Sequence, residues 1–144
     1  VKRKKADIRK RLKIHIKSKG ENCDFELTPT FCLYWWRHLN DAIFDGKLNP
    51  PERFEFKAYR NMAGWCRPWR ANRLSKRSVV FGINSQIWER KTFLTVLAHE
   101  MVHQWEWEIL ADWNSKTMHG KQFFDWKGKL KYRAGLPLTE SIDI

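Results

Sequence analysis

His99, Glu100 and His103 stand in the stretch LAHEMVHQWEWEIL, residues 97–110, as His-Glu-x-x-His. Residues four apart on a helix share a face, so the two imidazoles would point the same way. Zinc takes such nitrogen donors, keeps a position open for water, and lowers that water's pKa towards ~7. Glu100, one position round the helix, would accept the water's proton as it attacks a carbonyl. A further histidine, His119, follows sixteen positions after His103, ahead of the apolar stripe Phe123, Trp126 and Leu130. A loop of about seven residues, ordinary between two helices, would let that second helix fold back until His119 meets the first pair.

Other arrangements of the same chemistry fit less well. The metzincin pattern is excluded, because Glu106 stands where it needs Gly and Ile109 where it needs His. A carboxylate ligand from a later helix would have to be Asp125 or Glu140, both poor candidates. Cys66 lies 33 positions ahead of the motif, as an upstream ligand does in deformylase-type sites. The glycine-rich signatures of those enzymes are missing, so a buried structural thiol is expected. Glu106 shares the histidine face and would orient a ligand from behind, but an exposed charge is the simpler expectation. His15 and His38 are expected to be ordinary side chains rather than ligands. Tyr132 is a candidate to stabilise an oxyanion, with nothing in the sequence to bring it near the metal.

The elements that must position these residues read as an α+β domain. Around His99 the apolar positions Leu94, Leu97, Ala98, Met101, Val102 and Trp105 form a broad helical stripe from Phe93, with Thr92 as its expected cap and a short helical turn over 85–90. Upstream, Thr28 or Thr30 beside Pro29 starts a helix over 31–44, which Gly46 stops. Phe54 and Phe56 alternate with charged neighbours as a strand does, and residues 60–66 and 78–84 read as two more, joined by an arginine-rich loop. RLKIHIK (11–17) alternates as a short strand, while Ile8, Leu12 and Ile16 equally mark a helix stripe.

At 144 residues, 42% hydrophobic and with nine tryptophans, the chain is one folded domain. No apolar run approaches the ~20 residues that cross a bilayer, and no signal-peptide pattern opens the sequence. Cys23, Cys32 and Cys66 make an odd count without Cys-x-x-Cys. That suits free thiols in a reducing, intracellular compartment, and a monomer with no membrane partner is expected.

Twenty-eight Lys and Arg face sixteen acids, for a formal charge of +12. Residues 1–20 read as a basic arm with ten cations against Asp7 alone, among them Lys2, Arg3, Lys4, Lys5, Arg9, Lys10 and Arg11. Residues 60–77 add Arg60, Arg67, Arg70, Arg73, Lys76 and Arg77 with no acid. Clusters of this kind are the electrostatic footprint of DNA binding, single- or double-stranded. Trp65 and Trp69 among the arginines offer rings on which bases stack, Trp69 above all because it falls in the loop.

His99-Glu100-Met101-Val102-His103 followed by His119-Gly120-x-x-Phe123 resembles the SprT-like, or Spartan-type, metallopeptidases. LNDAIFDGKL (39–48) is similar to that family's first-helix signature and AGWC (63–66) to its strand motif, so the resemblance covers roughly residues 28–137. It implies a minimal zincin core over 21–144: a first helix, a small mainly antiparallel sheet, an active-site helix, and a C-terminal helix supplying the third histidine. It also implies one catalytic Zn2+ on His99, His103 and His119, with Glu100 as general base. The expected activity is proteolysis of proteins bound or crosslinked to DNA; the alternative is a DNA-binding module whose zinc site is structural or inactive. Many relatives carry a C-terminal zinc ribbon with Cys-x-x-Cys pairs; these 144 residues hold no such pair, and their basic arm is N-terminal.

Overall fold

The computed structural model describes residues 2–18, 25–113 and 119–142, with the side chains of Lys2 and Arg3 outside that description. Cys23 and most of the loop before His119 also fall outside it. The chain runs α1 (Lys2–Lys17), α2 (Pro29–Ile43), β1 (Arg53–Lys57), β2 (Gly64–Trp69), β3 (Ser78–Asn84), α3 (Arg90–Glu108), α4 (Lys121–Phe124) and α5 (Trp126–Ala134).

The fold is α+β, as expected, but its sheet is mixed. The strand order is β1-β3-β2, with β1 parallel to β3 and β2 antiparallel to it. β3 is buried along its whole length, as a central strand covered on both faces must be. It reads accordingly as the near-continuous apolar run SVVFGIN. β2 starts later than its sequence suggests, at Gly64. Residues 58–63 form a loop instead, held by Asn84, whose amide donates to the carbonyls of Tyr59 and Met62 at 3.0 Å each.

α3 is the central helix. Its apolar positions surround it rather than forming one stripe, and His99, Glu100, His103, Gln104 and Glu106 are buried with them. The expected Thr92 cap is not used: the helix begins at Arg90 after an extended Glu89, and residues 85–89 are not helical. α2 starts as read, with the Thr28 hydroxyl accepting from Phe31 N at 3.1 Å and Pro29 in the first turn. Asn40 then ties the following turn, donating to Leu48 O and accepting from Leu48 N.

α1 decides between the two readings of RLKIHIK. It is a helix, with Leu12 buried and Ile8 and Ile16 half-buried, while Ile14 is 63% exposed. The alternating pattern loses because the i, i+4 stripe meets α2 and α5. Arg90, 2% exposed, donates to the carbonyls of His15, Ile16 and Ser18 at 3.4, 2.8 and 2.7 Å. These belong to the end of α1, where helical carbonyls lack partners and favour a cation.

Candidate metal centre

His99 and His103 lie one turn apart on the buried face of α3, and His119 arrives from the segment before α4. The Nε2 atom of His119 is 3.1 Å from Nε2 of His99 and 3.1 Å from Nε2 of His103. Tetrahedral zinc with ~2.0–2.1 Å bonds would separate two ligand nitrogens by about 3.3 Å. The three nitrogens therefore converge as a metal requires, and among the described residues these three side chains form the one such group. His119 adopts φ +61°, a left-handed conformation uncommon for a side-chain-bearing residue, which turns the chain towards α3.

Electrostatics suit ligation. Burial, reinforced by His103 and His119, lowers the pKa of His99 to about 3. Burial and His103 also lower that of His119, against an opposing pull from Glu140 and Glu106. Neutral imidazoles are the ligating form. The backbone of Thr139 partly offsets the lowering at His99, whose buried Nδ1 has no close hydrogen-bond partner among the described residues. Phe123, fully buried, lies under all three rings, with centroids 4.9, 4.7 and 4.7 Å from those of His99, His103 and His119. That contact explains the Phe four positions after His119, whose part in the site the sequence did not disclose.

Glu100 is buried beside the cluster, its Oε2 3.8 Å from His99 Nε2. Burial raises its carboxyl to about 7, with His103 pulling the other way. A carboxylate poised there is suited to exchange protons near neutral pH.

Glu106 corrects an expectation: it is 5% exposed, not a surface charge. One oxygen lies 3.0 Å from His103 Nδ1, and the other accepts from Gln122 Nε2 at 2.7 Å. Gln122 also donates to Asp112 at 2.8 Å. Cys66 lines the same cleft but is not among the converging ligand atoms. Burial, then Glu100, Glu108 and Glu106, push its thiol well up. Glu140 sits at the cleft mouth, exposed, and Asp125 stands at the start of α5. Tyr132 lines a different groove.

The cleft, about 310 Å³, runs between β2 and the chain after α5. Asn61 to Cys66 line one side and Glu140 to Ile142 the other. β2 is an edge strand. Because Asn84 N donates to Ala63 O at 2.8 Å, the alternation of an antiparallel ladder turns the backbone groups of Gly64, Cys66 and Pro68 to the free edge. Two glycines allow this packing. A Cβ on Gly64 would meet Val96 and the Gly82 carbonyl at 2.8 Å, and one on Gly82 would meet the Trp65 ring at 2.0 Å.

The expected nucleic-acid residues are scattered over separate elements. Trp69 lies in β2 and is half-buried, not in a loop. Arg70 and Arg77 sit over the Trp107 ring, and Arg67 lies over Trp65 and 3.8 Å from Glu55. Arg9 is bonded to Ala42 O and Asp45, and Lys5 lies 3.5 Å from Asp45. Lys4, Lys10, Arg11, Arg73 and Lys76 are exposed.

Compared with known families, residues 33–141 match the SprT-like family. The chain belongs to that family. SprT-like proteins are generally zinc-metalloprotease-like, and the match takes in the three histidines, Glu100 and the edge strand. α1 precedes it. A comparison with curated proteins finds no match. No helix among the described residues is long and apolar enough to cross a membrane.

Proposed function

We propose that this SprT-like chain is a zinc-dependent endopeptidase with a minimal zincin core, acting on proteins bound or crosslinked to DNA. The carrying observation is the convergence of His99, His103 and His119 with Glu100 at the foot of an open strand edge. Zinc, when bound, polarises the scissile carbonyl and activates water. The chain's own groups do the rest. Gly64 and Cys66 offer backbone donors and acceptors to an extended peptide, the mode in which a strand is added to a sheet edge. Glu100 takes the proton from the attacking water and returns it to the departing amine. Phe123 keeps the underside of the imidazoles dry.

The DNA half of the reading is supported by the +12 charge and its clustering in α1 and around residues 67–77. A purely structural zinc site is the competing reading. Glu100 argues against it, because a structural site has no use for a carboxylate beside its ligands, and its Oε2 lies 3.8 Å from His99 Nε2.

Incubation with DNA and a DNA-binding protein, with and without chelator, tests both halves. Wild type should cut in the presence of DNA and zinc. Glu100→Gln should hold zinc yet lose about 10²–10⁴ in rate, the usual worth of a positioned base. Equal cutting by the variant removes Glu100 from the reaction, and cutting indifferent to DNA removes the DNA half.

A further inference from the structure

A second concavity, about 630 Å³, lies between α1 and α5 over the end of α2, and shares no lining residue with the metal cleft. Its floor is built from cations already engaged. Arg9 donates to Ala42 O and Asp45, and Arg133 donates to Ile43 O. Both guanidinium groups thus satisfy carbonyls in the last turn of α2. The groove is left positive, since Asp45 is the one carboxylate among its lining residues.

The rim is different. Lys10 is exposed and has no acid within ion-pair distance among the described residues. Lys13 follows at i+3, its ammonium 5.2 Å from the centre of the Tyr132 ring. Tyr132 is 71% exposed and lines the groove beside Ile14. A ring left out of the core and flanked by lysines has the two parts that single strands need: a face for an unpaired base and charge for the backbone. A duplex keeps its bases stacked inside and would gain only the charge.

We propose that the α1/α5 groove binds single-stranded nucleic acid, with a base on Tyr132 and phosphates on Lys10 and Lys13. This rests on the nucleic-acid half of the reading above and places the strand where it leaves the metal cleft open to protein.

The test is a salt titration of affinity by fluorescence anisotropy, on a labelled oligothymidylate and on a hairpin duplex, with the zinc-loaded full chain. Tyr132→Ala should weaken single-strand binding about five- to a hundredfold, the range stacking on one aromatic spans, with little change on the duplex or in salt slope. Tyr132→Phe should restore it. Lys10→Gln with Lys13→Gln should lower the single-strand log–log salt slope by about 1.4, or ~0.7 per contact. All these side chains reach solvent, and unchanged zinc content and melting temperature verify the fold. If wild type binds the oligonucleotide and Tyr132→Ala binds equally well, the groove is refuted while the nucleic-acid reading stands. If wild type binds neither form, both fall. Displacement of the oligonucleotide by an acidic peptide or phosphatidylserine vesicle at equal charge would overturn the choice of ligand.

Discussion

Glu106 ties α3, which carries His99 and His103, to the segment that carries His119, so its removal should act twice. Its Oε1 holds the His103 ring at Nδ1, 3.0 Å away, and its Oε2 takes a 2.7 Å bond from Gln122 on α4, the helix that follows His119. Groups that orient a metal's ligands from behind are typically worth ten- to a hundredfold in metal affinity, or about 1.4–2.8 kcal/mol. Glu106→Gln keeps an oxygen for His103 but sets its amide against that of Gln122, so a loss of about tenfold is expected. Glu106→Ala strands the His103 N–H and removes one of the two acceptors of the Gln122 amide, and should reach about a hundredfold. It should also lose roughly 1–3 kcal/mol of stability from buried groups left unpaired. Gln122→Ala leaves the His103 contact intact and isolates the tie to α4, with a loss of about tenfold or less. Zinc affinity from chelator competition, paired with urea unfolding, reads both effects. Zinc held by Glu106→Ala within about twofold of wild type would refute the reasoning and leave Glu106 a packing residue.

His119→Ala should lose most of its zinc in elemental analysis while Cys66→Ser keeps it; full occupancy in the first variant would return Cys66 to consideration. Gly82→Ala should displace Trp65, whose ring lies 2.0 Å from the added Cβ. It should cost about 1–3 kcal/mol and raise KM for protein substrates at unchanged zinc content; unaltered KM and stability would show that Trp65 is not held by this glycine. Burial raises Glu108 to about 7 from an ordinary 4.5, against the Asn49 N–H and the Gln104 amide. The folded state thus binds this proton more tightly than the unfolded one. Glu108's stabilising contribution is complete below about 4.5 and is lost as pH rises through about 7. Glu108→Gln should flatten that part of the decline, and urea midpoints that fall equally in both proteins from about pH 5 to 7.5 would contradict it.

The cluster of three histidines is legible because its signal is local. His99 and His103 depend only on helical spacing, and His119 announces itself by residue type ahead of an apolar stripe. Glu106 reads as an exposed charge for the opposite reason: its burial depends on Gln122 and α4, sixteen positions further on, which no local pattern discloses. The parallel pairing of β1 with β3 was likewise hidden, since strand direction follows from β2 crossing to the far side of β3. For α1 both periodicities were written in the same residues, and tertiary contact with α2 and α5 chose between them. The paired roles of Gly64 and Gly82 are distances between segments, not properties of either glycine's neighbours.

The free edge of β2 also bears on how the molecule behaves at high concentration. A strand open to an extended peptide is equally open to the same strand of another copy, and such edges seed aggregation unless something interrupts them. Here the interruption is graded along the strand. Gly64 and Cys66, beside the histidines, present complete backbone pairs, whereas Pro68 has no N–H to give, and Arg67 adds an exposed charge between them. Pairing can therefore extend only about three residues before the ladder fails, too little for a lasting sheet between two copies. A peptide that also reaches the metal cleft has a second source of affinity. The same proline that ends the strand thus keeps the edge available to transient guests and closed to permanent ones.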